Sequence, residues 1–232
     1  ERLLKAFKGI DYVIHAAALK QVPTSEYNPF ETIKTNILGT QNVIDACIDN
    51  SVQKLVALST DKASSPINLY GATKLCSDKI VVGSQNTKGN INYAASVVRY
   101  GNVLGSRGSV LPEFIKQKKN NLFTITSEEM TRFNILLEEG IKLVLWSLKN
   151  SKGGEIFVPK IPSFRVIDLA KAIDDKCKIK IIGIRPGEKL HEEMISSSES
   201  YNTVDFGEYY LILPNFHDYS RETYIKKFGG KK

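Results

Sequence analysis

The chain alternates short apolar runs with longer amphipathic segments, and this alternation restricts it to a few architectures. Residues 11–18, 54–59 and 94–99 have the length and composition of buried parallel strands. Between them, residues 29–49 and 70–82 carry apolar side chains at helical spacing. Because strands that alternate with helices build βαβ units, the pattern predicts an α/β fold with a doubly wound parallel sheet.

Beyond residue 100 the alternation is less regular. Gly101, Gly105, Gly108 and Pro112 indicate irregular loops in this part of the chain. The last residues, 215–232, show no clear pattern and are interpreted as a tail. Between these parts, periodicity predicts helices at 138–148 and 166–174, and strands at 155–158, 178–184 and 209–213.

Charge and cysteine content exclude several classes of partner. The 232 residues include 32 basic and 25 acidic side chains, a formal net charge of +7 that is spread along the chain. Without a basic stripe interleaved with aromatics, this surplus favours anionic small molecules over nucleic acid. No apolar run approaches the roughly 18 residues of a membrane span. Cys47, Cys76 and Cys177 are far apart and lack metal-ligand spacing, so we interpret them as free thiols of a cytoplasmic protein.

Tyr70 and Lys74 are the residues that most define the chemistry. They are four residues apart, so on a helix they share one face. A buried lysine ammonium beside a phenol is expected to lower the pKa of the phenol, which makes tyrosine a usable base near neutral pH. The pair follows a strand that ends in Ser59-Thr60-Asp61, at the carboxyl edge where open α/β sheets bind ligands. The alternative interpretation is a tyrosine–lysine pair on the surface.

Short motifs run through the chain on both sides of this pair. They combine small residues, glycine and polar or charged side chains, and they follow one another in a specific order. The motifs are His15-Ala-Ala-Ala-Leu-Lys-Gln-Val-Pro23, Thr35-Asn-Ile-Leu-Gly-Thr40, Leu58-Ser-Thr-Asp-Lys-Ala63, Asn68-Leu-Tyr-Gly-Ala-Thr-Lys74, Arg99-Tyr-Gly-Asn-Val-Leu-Gly-Ser-Arg-Gly-Ser-Val110, Met130-Thr-Arg-Phe133, Arg185-Pro-Gly-Glu-Lys-Leu-His-Glu-Glu-Met194 and Tyr209-Tyr-Leu-Ile-Leu-Pro214.

Together these motifs resemble the extended short-chain dehydrogenase/reductase family. Within it, the chain is similar to the UDP-N-acetylglucosamine 4,6-dehydratases that invert C5 and begin pseudaminic acid synthesis for flagellin glycosylation. The resemblance implies a Rossmann-like fold with its N-terminal units missing and a small C-terminal substrate-binding lobe. The expected division is the remainder of an NADP-binding domain at 1–105, a substrate-binding lobe interleaved with returning Rossmann elements at 106–214, and the tail at 215–232. It also implies a cytoplasmic homo-oligomer that binds NADP and UDP-N-acetylglucosamine.

The resemblance further implies a role for individual residues. Asp61, Lys62, Tyr70 and Lys74 would be catalytic, and the others would bind the cofactor or the nucleotide sugar. The residues expected at NADP are Ala16, Lys20, Leu58, Ser59, Tyr70, Lys74, Val103, Leu104, Gly105, Ser106 and Arg107, and those expected at the sugar nucleotide are Lys62, Asn102, Val110, Thr124, Arg185 and Glu188.

In the implied reaction Tyr70, helped by Lys74, takes the proton of the C4 hydroxyl while a hydride leaves C4 for NADP. The 4-ketone acidifies the C5 proton, which Lys62 removes, and Asp61 assists departure of the C6 hydroxyl before hydride returns to C6. Relatives that share Asp-Lys but retain configuration usually have Met in place of Tyr70, so Lys62 with Tyr70 predicts inversion. The alternatives are a retaining 4,6-dehydratase, a UDP-sugar 4-epimerase and an inactive fragment that acts as a binding module.

Four other polar residues of the motifs have structural or open interpretations. His15 is interpreted as a core histidine that holds backbone, whereas Asn36 is either structural or part of a proton relay. Arg132 either reaches a phosphate or caps the lobe. Asn134 stands where the family commonly has an aromatic residue, so local packing is expected to differ there.

The sequence contains no Gly-x-Gly-x-x-Gly loop between a strand and a helix. In dinucleotide-binding sheets such a loop holds the pyrophosphate with backbone N–H groups and a helix N-terminus. We therefore expect about 70 residues of the fold to precede this chain. By the same argument, the chain alone is expected to bind NADP poorly.

Overall fold

The computed structural model describes residues 1–215 and 220–231. Its strands belong to one large sheet and to small sheets in a separate lobe. The strands are β1 (Tyr12–His15), β2 (Lys54–Thr60), β3 (Ala94–Tyr100), β4 (Asn102–Val103), β5 (Leu122–Ile125), β6 (Thr131–Ile135), β7 (Ile156–Pro159), β8 (Ser163–Arg165), β9 (Lys178–Ile181), β10 (Thr203–Asp205) and β11 (Tyr209–Ile212).

Helices connect these strands and cover the large sheet. Most connections between the first strands are helical, as the alternating pattern predicts. The helices are α1 (Arg2–Ala6), α2 (Val22–Tyr27), α3 (Pro29–Ile33), α4 (Gly39–Asp49), α5 (Leu69–Thr87), α6 (Val110–Lys118), α7 (Leu137–Asn150), α8 (Val166–Ile173), α9 (Ser197–Ser200) and α10 (Arg221–Phe228).

The large sheet has the strand order β1-β2-β3-β7-β11-β10. Strands β1, β2, β3 and β7 run parallel, and β11 and β10 continue the sheet in antiparallel fashion. Successive residues of the central strands, such as Leu55 and Val56 in β2 and Val97 and Val98 in β3, are all buried. Burial on both faces is typical of parallel sheets and explains the continuous apolar runs. The predicted α/β fold with a parallel sheet is confirmed.

Helices pack on both faces of this sheet, which makes it doubly wound. On one face, α4 and α5 bring Val43, Ile44 and Val81 into a core with Leu55 of β2. On the other face, α7 packs Leu143 into a second core, which also contains alternate residues of β2 and β3. Neighbouring residues of one strand thus face different cores because side chains alternate across a sheet.

The smaller lobe has a hydrophobic core of its own. It contains β5 paired with β9, the sheet β4-β6-β8, and helices α6 and α8. Phe114 of α6, Phe123 of β5 and Ile167 of α8 are buried together with Met130, which precedes β6. The lobe faces the carboxyl ends of β2 and β3, so its connections position the walls of a cleft.

The stretch after residue 100 is more regular than the sequence indicates. Instead of loops alone, it contains β4 and α6, and α6 begins at Val110 with Pro112 in its first turn. The first backbone N–H groups of a helix have no intrahelical partner, so proline is tolerated there. The loops predicted at Gly101, Gly105 and Gly108 are confirmed, because none of these residues lies in a helix or strand, whereas the loop predicted at Pro112 was wrong because this residue lies in α6.

The helix predicted over 29–49 is present but interrupted. Helix α3 passes into a π-helical turn at Lys34–Leu38 before α4 begins. Of the predicted tail, residues 216–219 and 232 lie outside the described residues, whereas α10 places Tyr224 in the core beneath α7.

Within the described residues, no helix combines the length and the apolar character needed to cross a membrane. All three cysteines are free, as predicted. Cys47 lies on the buried face of α4, and this burial raises the pKa of its thiol to about 12. Such a thiol is inert and contributes to packing.

Candidate active site

A large cavity lies between the carboxyl ends of β2 and β3 and the smaller lobe. Its volume is about 980 Å³, and it is open on one side. Ligands of open α/β sheets bind at this edge, where parallel strands end. Among the predicted site residues, those that line it are Ala16, Lys20, Leu58, Ser59, Lys62, Tyr70, Lys74, Asn102, Val103, Ser106, Arg107, Val110, Thr124, Arg185 and Glu188.

Three predicted site residues do not line this cavity: Asp61, Leu104 and Gly105. Asp61 is fully buried beneath its wall, where it touches Lys62. Leu104 and Gly105 lie in the connection between β4 and α6. The structure thus brings together residues from both ends of the sequence, and it leaves these two loop residues outside the wall.

A tight turn after β2 presents the Asp61–Lys62 pair. Thr60 begins a 3-10 turn over Asp61–Ala63, and its hydroxyl accepts a hydrogen bond from the Lys62 N–H. The same hydroxyl donates to Asp61 Oδ1 at 3.0 Å. Gly71, in the first turn of α5, allows this turn to pack closely, because a Cβ there would overlap the Lys62 carbonyl oxygen. The glycine therefore holds Lys62 next to the start of α5.

The Lys62 ammonium lies among oxygen atoms of three side chains. Its Nζ is 3.0 Å from Asp61 Oδ1 and 3.4 Å from Glu192 Oε1. It also donates to Asn102 Oδ1 at 3.5 Å. Glu192 Oε2 lies 3.6 Å from Lys189 Nζ, so this carboxylate connects two lysines.

Lys74 is anchored under the cavity floor. It lies on α5 four residues after Tyr70, and its Nζ donates to the carbonyl oxygen of Leu58 at 2.7 Å. Burial lowers the pKa of Lys74, while the negative charge of Asp78 one turn further along opposes this change. The helical spacing predicted for Tyr70 and Lys74 is confirmed, and the alternative of a surface pair is wrong because both are buried.

Burial has the largest effect on the ionisation of Tyr70. It raises the pKa of Tyr70 above its ordinary value, a hydrogen bond with Thr60 lowers it, and the nearby Asp61 carboxylate raises it further. The Lys74 ammonium donates to the Leu58 carbonyl. The net direction is opposite to the lowered pKa expected from sequence, and an effect of Lys74 on the phenol stays a prediction.

A buried charge network supports this floor from below. Asp78 Oδ2 accepts from Ser59 Oγ at 2.9 Å and pairs with Arg99 Nη2 at 3.3 Å. Arg99, fully buried in β3, also makes two 3.0 Å hydrogen bonds to the carboxylate of Glu199. The network therefore connects α5 and β3 to Glu199 of α9, in the segment that follows the lobe.

His15 and Asn36 have structural roles. His15 is buried, its Nε2 lies 3.1 Å from Thr40 Oγ1, and burial followed by the charge of Lys74 lowers its pKa to about 4. The Asn36 side chain bonds both the N–H and the carbonyl of Leu19 at 2.8 Å, which fixes the loop after β1. The interpretation of His15 as a core histidine is confirmed by its burial, but its ring contacts the Thr40 hydroxyl rather than the backbone that was expected. Asn36 bonds the Leu19 backbone and also donates to Thr73 Oγ1 at 3.0 Å.

On the lobe side, Arg185 and Glu188 bind each other. Two hydrogen bonds of 3.1 Å join the Arg185 guanidinium to the Glu188 carboxylate. Burial by itself raises the pKa of Glu188, but the bonds from Arg185 outweigh it and hold the pKa below its usual range. Arg132 donates to the carbonyls of Lys189 and Leu190, so it caps the segment and also lines the cavity.

Thr124, which is expected to bind the sugar nucleotide, and Asn134, where local packing is expected to differ from the family, both contact nearby residues. Thr124 is bound by Gln117, whose amide donates to the Thr124 hydroxyl and accepts from its N–H, each at 2.8 Å. Asn134 pairs in register with Asn102 between β6 and β4, so a polar pair occupies this strand contact.

Several cavity residues suit a dinucleotide. Ala16, Leu58 and Val103 give the wall small and apolar surfaces. Lys20 and Arg107 add positive charge, and Lys20 Nζ donates to the Arg107 carbonyl at 3.3 Å. Such a wall fits a nicotinamide ring and an anionic group beside it. Binding of the cofactor by these residues stays a prediction, and of the positions expected for it Leu104 and Gly105 do not line the cavity.

The sequence analysis missed Thr60, Lys189 and Glu192 as members of this site. Thr60 links Tyr70 to Asp61, and Glu192 binds Lys62. Both lie inside motifs that the analysis had singled out, which was the available signal. Their roles depend on contacts between distant motifs, which a single sequence does not display.

Comparison with known proteins agrees with this geometry. Residues 1–214 match the sequence profile of a family described as polysaccharide biosynthesis protein. The chain belongs to this family. It is 54% identical over 235 aligned residues to the UDP-N-acetylglucosamine 4,6-dehydratase (inverting) of Campylobacter jejuni subsp. jejuni, covering all of this chain and 70% of that protein. The resemblance predicted from the motifs is confirmed.

Other relatives of the chain have different names. A UDP-glucose 4-epimerase from Rickettsia canadensis is 44% identical over 98% of this chain and 68% of the relative. The structure of Pen from Bacillus thuringiensis superimposes with a TM-score of 0.88 at 41% identity, covering 92% of this chain and 70% of that one.

The fold is also shared with more distant enzymes. A dTDP-glucose 4,6-dehydratase from Streptomyces venezuelae, solved with NAD and TYD bound, has a TM-score of 0.75 at 19% identity. It covers 85% of this chain and 68% of that chain. At this identity the likeness shows the fold, which matches the predicted Rossmann-like arrangement.

Proposed function

We propose that this protein is a UDP-N-acetylglucosamine 4,6-dehydratase that inverts C5, a hydro-lyase. One observation supports this above the others: the cavity holds two proton-transfer units side by side. Tyr70 is one, and the Asp61–Lys62 pair, of which Lys62 lines the cavity and Asp61 lies beneath its wall, is the other. Oxidation at C4 requires one such unit, and elimination across C5 and C6 requires a second.

The cofactor of the proposal is NADP, held by the wall of Ala16, Leu58 and Val103 with Lys20 and Arg107 nearby. When bound, the oxidised dinucleotide would supply the hydride chemistry, as acceptor for the hydride of C4 and donor to C6. Ser59 and the Lys74 ammonium lie at the same wall and can bind ribose hydroxyls. That NADP is used in preference to NAD rests on the family resemblance.

In the first step Tyr70 takes the proton of the C4 hydroxyl. Because burial raises the pKa of Tyr70, the phenolate needs positive charge beyond that of the described residues. The nearby Lys74 ammonium donates to the Leu58 carbonyl, and this bond holds the helix that carries Tyr70 against the end of β2. The product of this step is a ketone at C4, which acidifies the proton on C5.

In the second step the Asp61–Lys62 pair carries out the elimination. Transfer of one proton from the ammonium to the carboxylate, 3.0 Å away, gives a neutral amine and a carboxylic acid. The amine of Lys62 can then remove the C5 proton, and Asp61 can protonate the departing C6 hydroxyl as water. A proton finally returns to C5, so the net change is the loss of one water molecule.

The inverting outcome is proposed from the combination of Lys62 with Tyr70. The long stem of Lys62 permits one side chain to remove the C5 proton while another donor returns it from the opposite face. The relative from Campylobacter jejuni, whose name includes the word inverting, supports this assignment. The proposal further includes a cytoplasmic homo-oligomer at the start of a pseudaminic acid pathway for flagellin glycosylation, on resemblance alone.

The test uses protein expressed from the complete gene, incubated with UDP-N-acetylglucosamine and NADP in deuterated buffer. NMR and mass spectrometry should show a 4-keto-6-deoxy sugar of L-arabino configuration, lighter by one water molecule and deuterated at C5. Lys62→Ala should stop elimination after C4 oxidation, and Lys74→Ala should stop the oxidation itself.

Three other outcomes would replace the proposal. Early product with only the D-xylo configuration would indicate a retaining dehydratase. A 4-epimer without loss of water would indicate an epimerase, the function named for the Rickettsia relative. A folded protein that binds the sugar nucleotide without changing it would indicate a binding module.

A further inference from the structure

Glu192 is a buried carboxylate inside the cavity wall that the steps above do not use. It belongs to the segment after Arg185, yet its Oε1 lies 3.4 Å from Nζ of Lys62, which follows β2, and both residues line the cavity. Its side chain is 4% exposed, and within the described residues its Oε2 has no hydrogen-bond donor. A buried carboxylate with an incompletely satisfied oxygen is costly unless it serves a function.

The surroundings of Glu192 keep it in place. Arg132 binds the carbonyls of Lys189 and Leu190, and Lys189 Nζ donates to the Ser64 carbonyl at 2.7 Å. These bonds fasten the Glu192 segment to the turn that presents Lys62. The charged groups that face one another at this point are Asp61, Lys62, Lys189 and Glu192.

We propose that Glu192 is a positioning residue for the elimination, which holds Lys62 and stabilises the ammonium formed when Lys62 takes the C5 proton. This inference rests on the proposed function. As Lys62 accepts the C5 proton, positive charge appears on its Nζ while Asp61, 3.0 Å away, still carries the proton it received from Lys62 and is neutral. Glu192, 3.4 Å away, is then the carboxylate that balances the new charge, until Asp61 gives its proton to the departing hydroxyl and becomes a carboxylate again. The proton moves from C5 to Lys62, and the C6–O bond breaks with the release of water.

The proposal separates the two chemical steps. C4 oxidation uses Tyr70, which Glu192 does not contact, so loss of the Glu192 charge should leave this step unchanged. Elimination should slow by about 10- to 100-fold, the loss expected when one hydrogen-bonded charge partner is removed. Reduced dinucleotide and the 4-ketone should therefore accumulate in the variant.

The chain offers a matched control in the next residue. Glu193 is exposed and accepts a hydrogen bond from Ser65 Oγ at 3.1 Å, away from Lys62. The experiment compares Glu192→Gln with Glu193→Gln in protein from the complete gene, mixed with UDP-N-acetylglucosamine and NADP. Stopped-flow absorbance of reduced dinucleotide measures C4 oxidation, and deuterium uptake at C5 measures elimination.

A second measurement needs neither substrate nor cofactor. Acetic anhydride should label the Lys62 amine severalfold faster in Glu192→Gln than in Glu193→Gln, because one carboxylate that holds the ammonium is gone. Peptide mass spectrometry reads this rate directly. If wild-type protein does not dehydrate the sugar, the proposed function fails, and this labelling still tests the contact between Glu192 and Lys62.

The expected result is unchanged C4 oxidation, slowed elimination and faster labelling in Glu192→Gln alone. Elimination at the wild-type rate, equal losses in both steps, or unchanged labelling would overturn the inference. If Glu192→Gln does not fold, Glu192→Asp keeps the charge on a shorter stem. That variant should oxidise C4 normally and eliminate about tenfold more slowly, and a normal elimination rate in it would also overturn the inference.

Discussion

His15, Tyr70 and Lys74 lie close together where β1, β2 and α5 meet beneath the cavity. Burial acts on each of them in the direction that disfavours charge. It lowers the pKa of His15 and Lys74 and raises the pKa of Tyr70. Only Lys74 has a carboxylate, Asp78, that opposes this effect. Burial therefore disfavours the charged form of each of these three side chains.

His15 makes stability depend on pH. Its pKa in the folded protein is about 4, below the ordinary value of 6.5, so the folded state binds fewer protons than the unfolded state. This contribution is fully present above pH 6.5 and is lost as the pH falls towards 4. Between pH 7 and pH 5 we expect a loss of about 2 kcal/mol from this residue, measured by urea unfolding.

The control for this prediction is a second histidine. His15→Gln should lose less stability than wild type over the same pH range, because the titrating ring is gone. His191→Gln removes an exposed histidine and should keep the wild-type pH dependence. Equal pH dependence in wild type and His15→Gln would show that His15 is not the responsible group.

At the scale of elements, the contact between α5 and the turn at Asp61–Ala63 decides where Lys62 lies. The first residues of α5 approach the Lys62 backbone so closely that only glycine fits at position 71. Asn68 caps this helix end, since its side chain accepts from the Gly71 N–H at 2.8 Å. One close backbone contact thus aligns both proton-transfer units of the cavity.

Gly71→Ala is expected to destabilise the protein by about 1–3 kcal/mol, because the added methyl meets backbone that cannot move aside. It should also slow the elimination, since the turn that holds Lys62 must shift. Gly83→Ala on the same helix is the control, as its Cβ would point into open space, away from the described residues that pack around this helix. That substitution should stabilise by about 0.5–1 kcal/mol. A Gly71→Ala protein as stable as wild type would contradict the close contact.

At the scale of the whole molecule, Arg99 connects the sheet to the segment that returns from the lobe. It binds Asp78 of α5, Glu199 at α9 and the carbonyl of Met194. The pKa of Asp78 is raised by burial, although Arg99 and Lys74 oppose this. These partners come from distant parts of the chain, so the network forms only in the complete fold.

Arg99→Met should destabilise the protein by about 3–5 kcal/mol, because it leaves two carboxylates without their buried cation. Lys160→Met is the matched control, since it removes a half-exposed ion pair to Asp205 of 2.7 Å. That change should cost about 1 kcal/mol or less. Denaturant unfolding of both variants measures the difference, and similar values for the two would show that the Arg99 network adds little.

The sequence by itself determined the doubly wound sheet and the helical spacing of Tyr70 and Lys74. Both depend on local patterns, namely apolar runs that must be buried and the period of the α-helix. The same patterns did not reveal α6, because glycine and Pro112 in its surroundings are equally common in loops. The motifs also placed most site residues at one cavity, since parallel strands end at one edge.

Only the tertiary structure decided which groups meet in the site and what their charges do. Glu192 lies next to Lys62 because the lobe folds back over the sheet edge, a contact between distant motifs. Lys74 binds the Leu58 carbonyl rather than the Tyr70 phenol, and burial raises the pKa of that phenol. Ionisation depends on burial and on the nearest charges, and both are properties of packing that no single stretch of sequence contains.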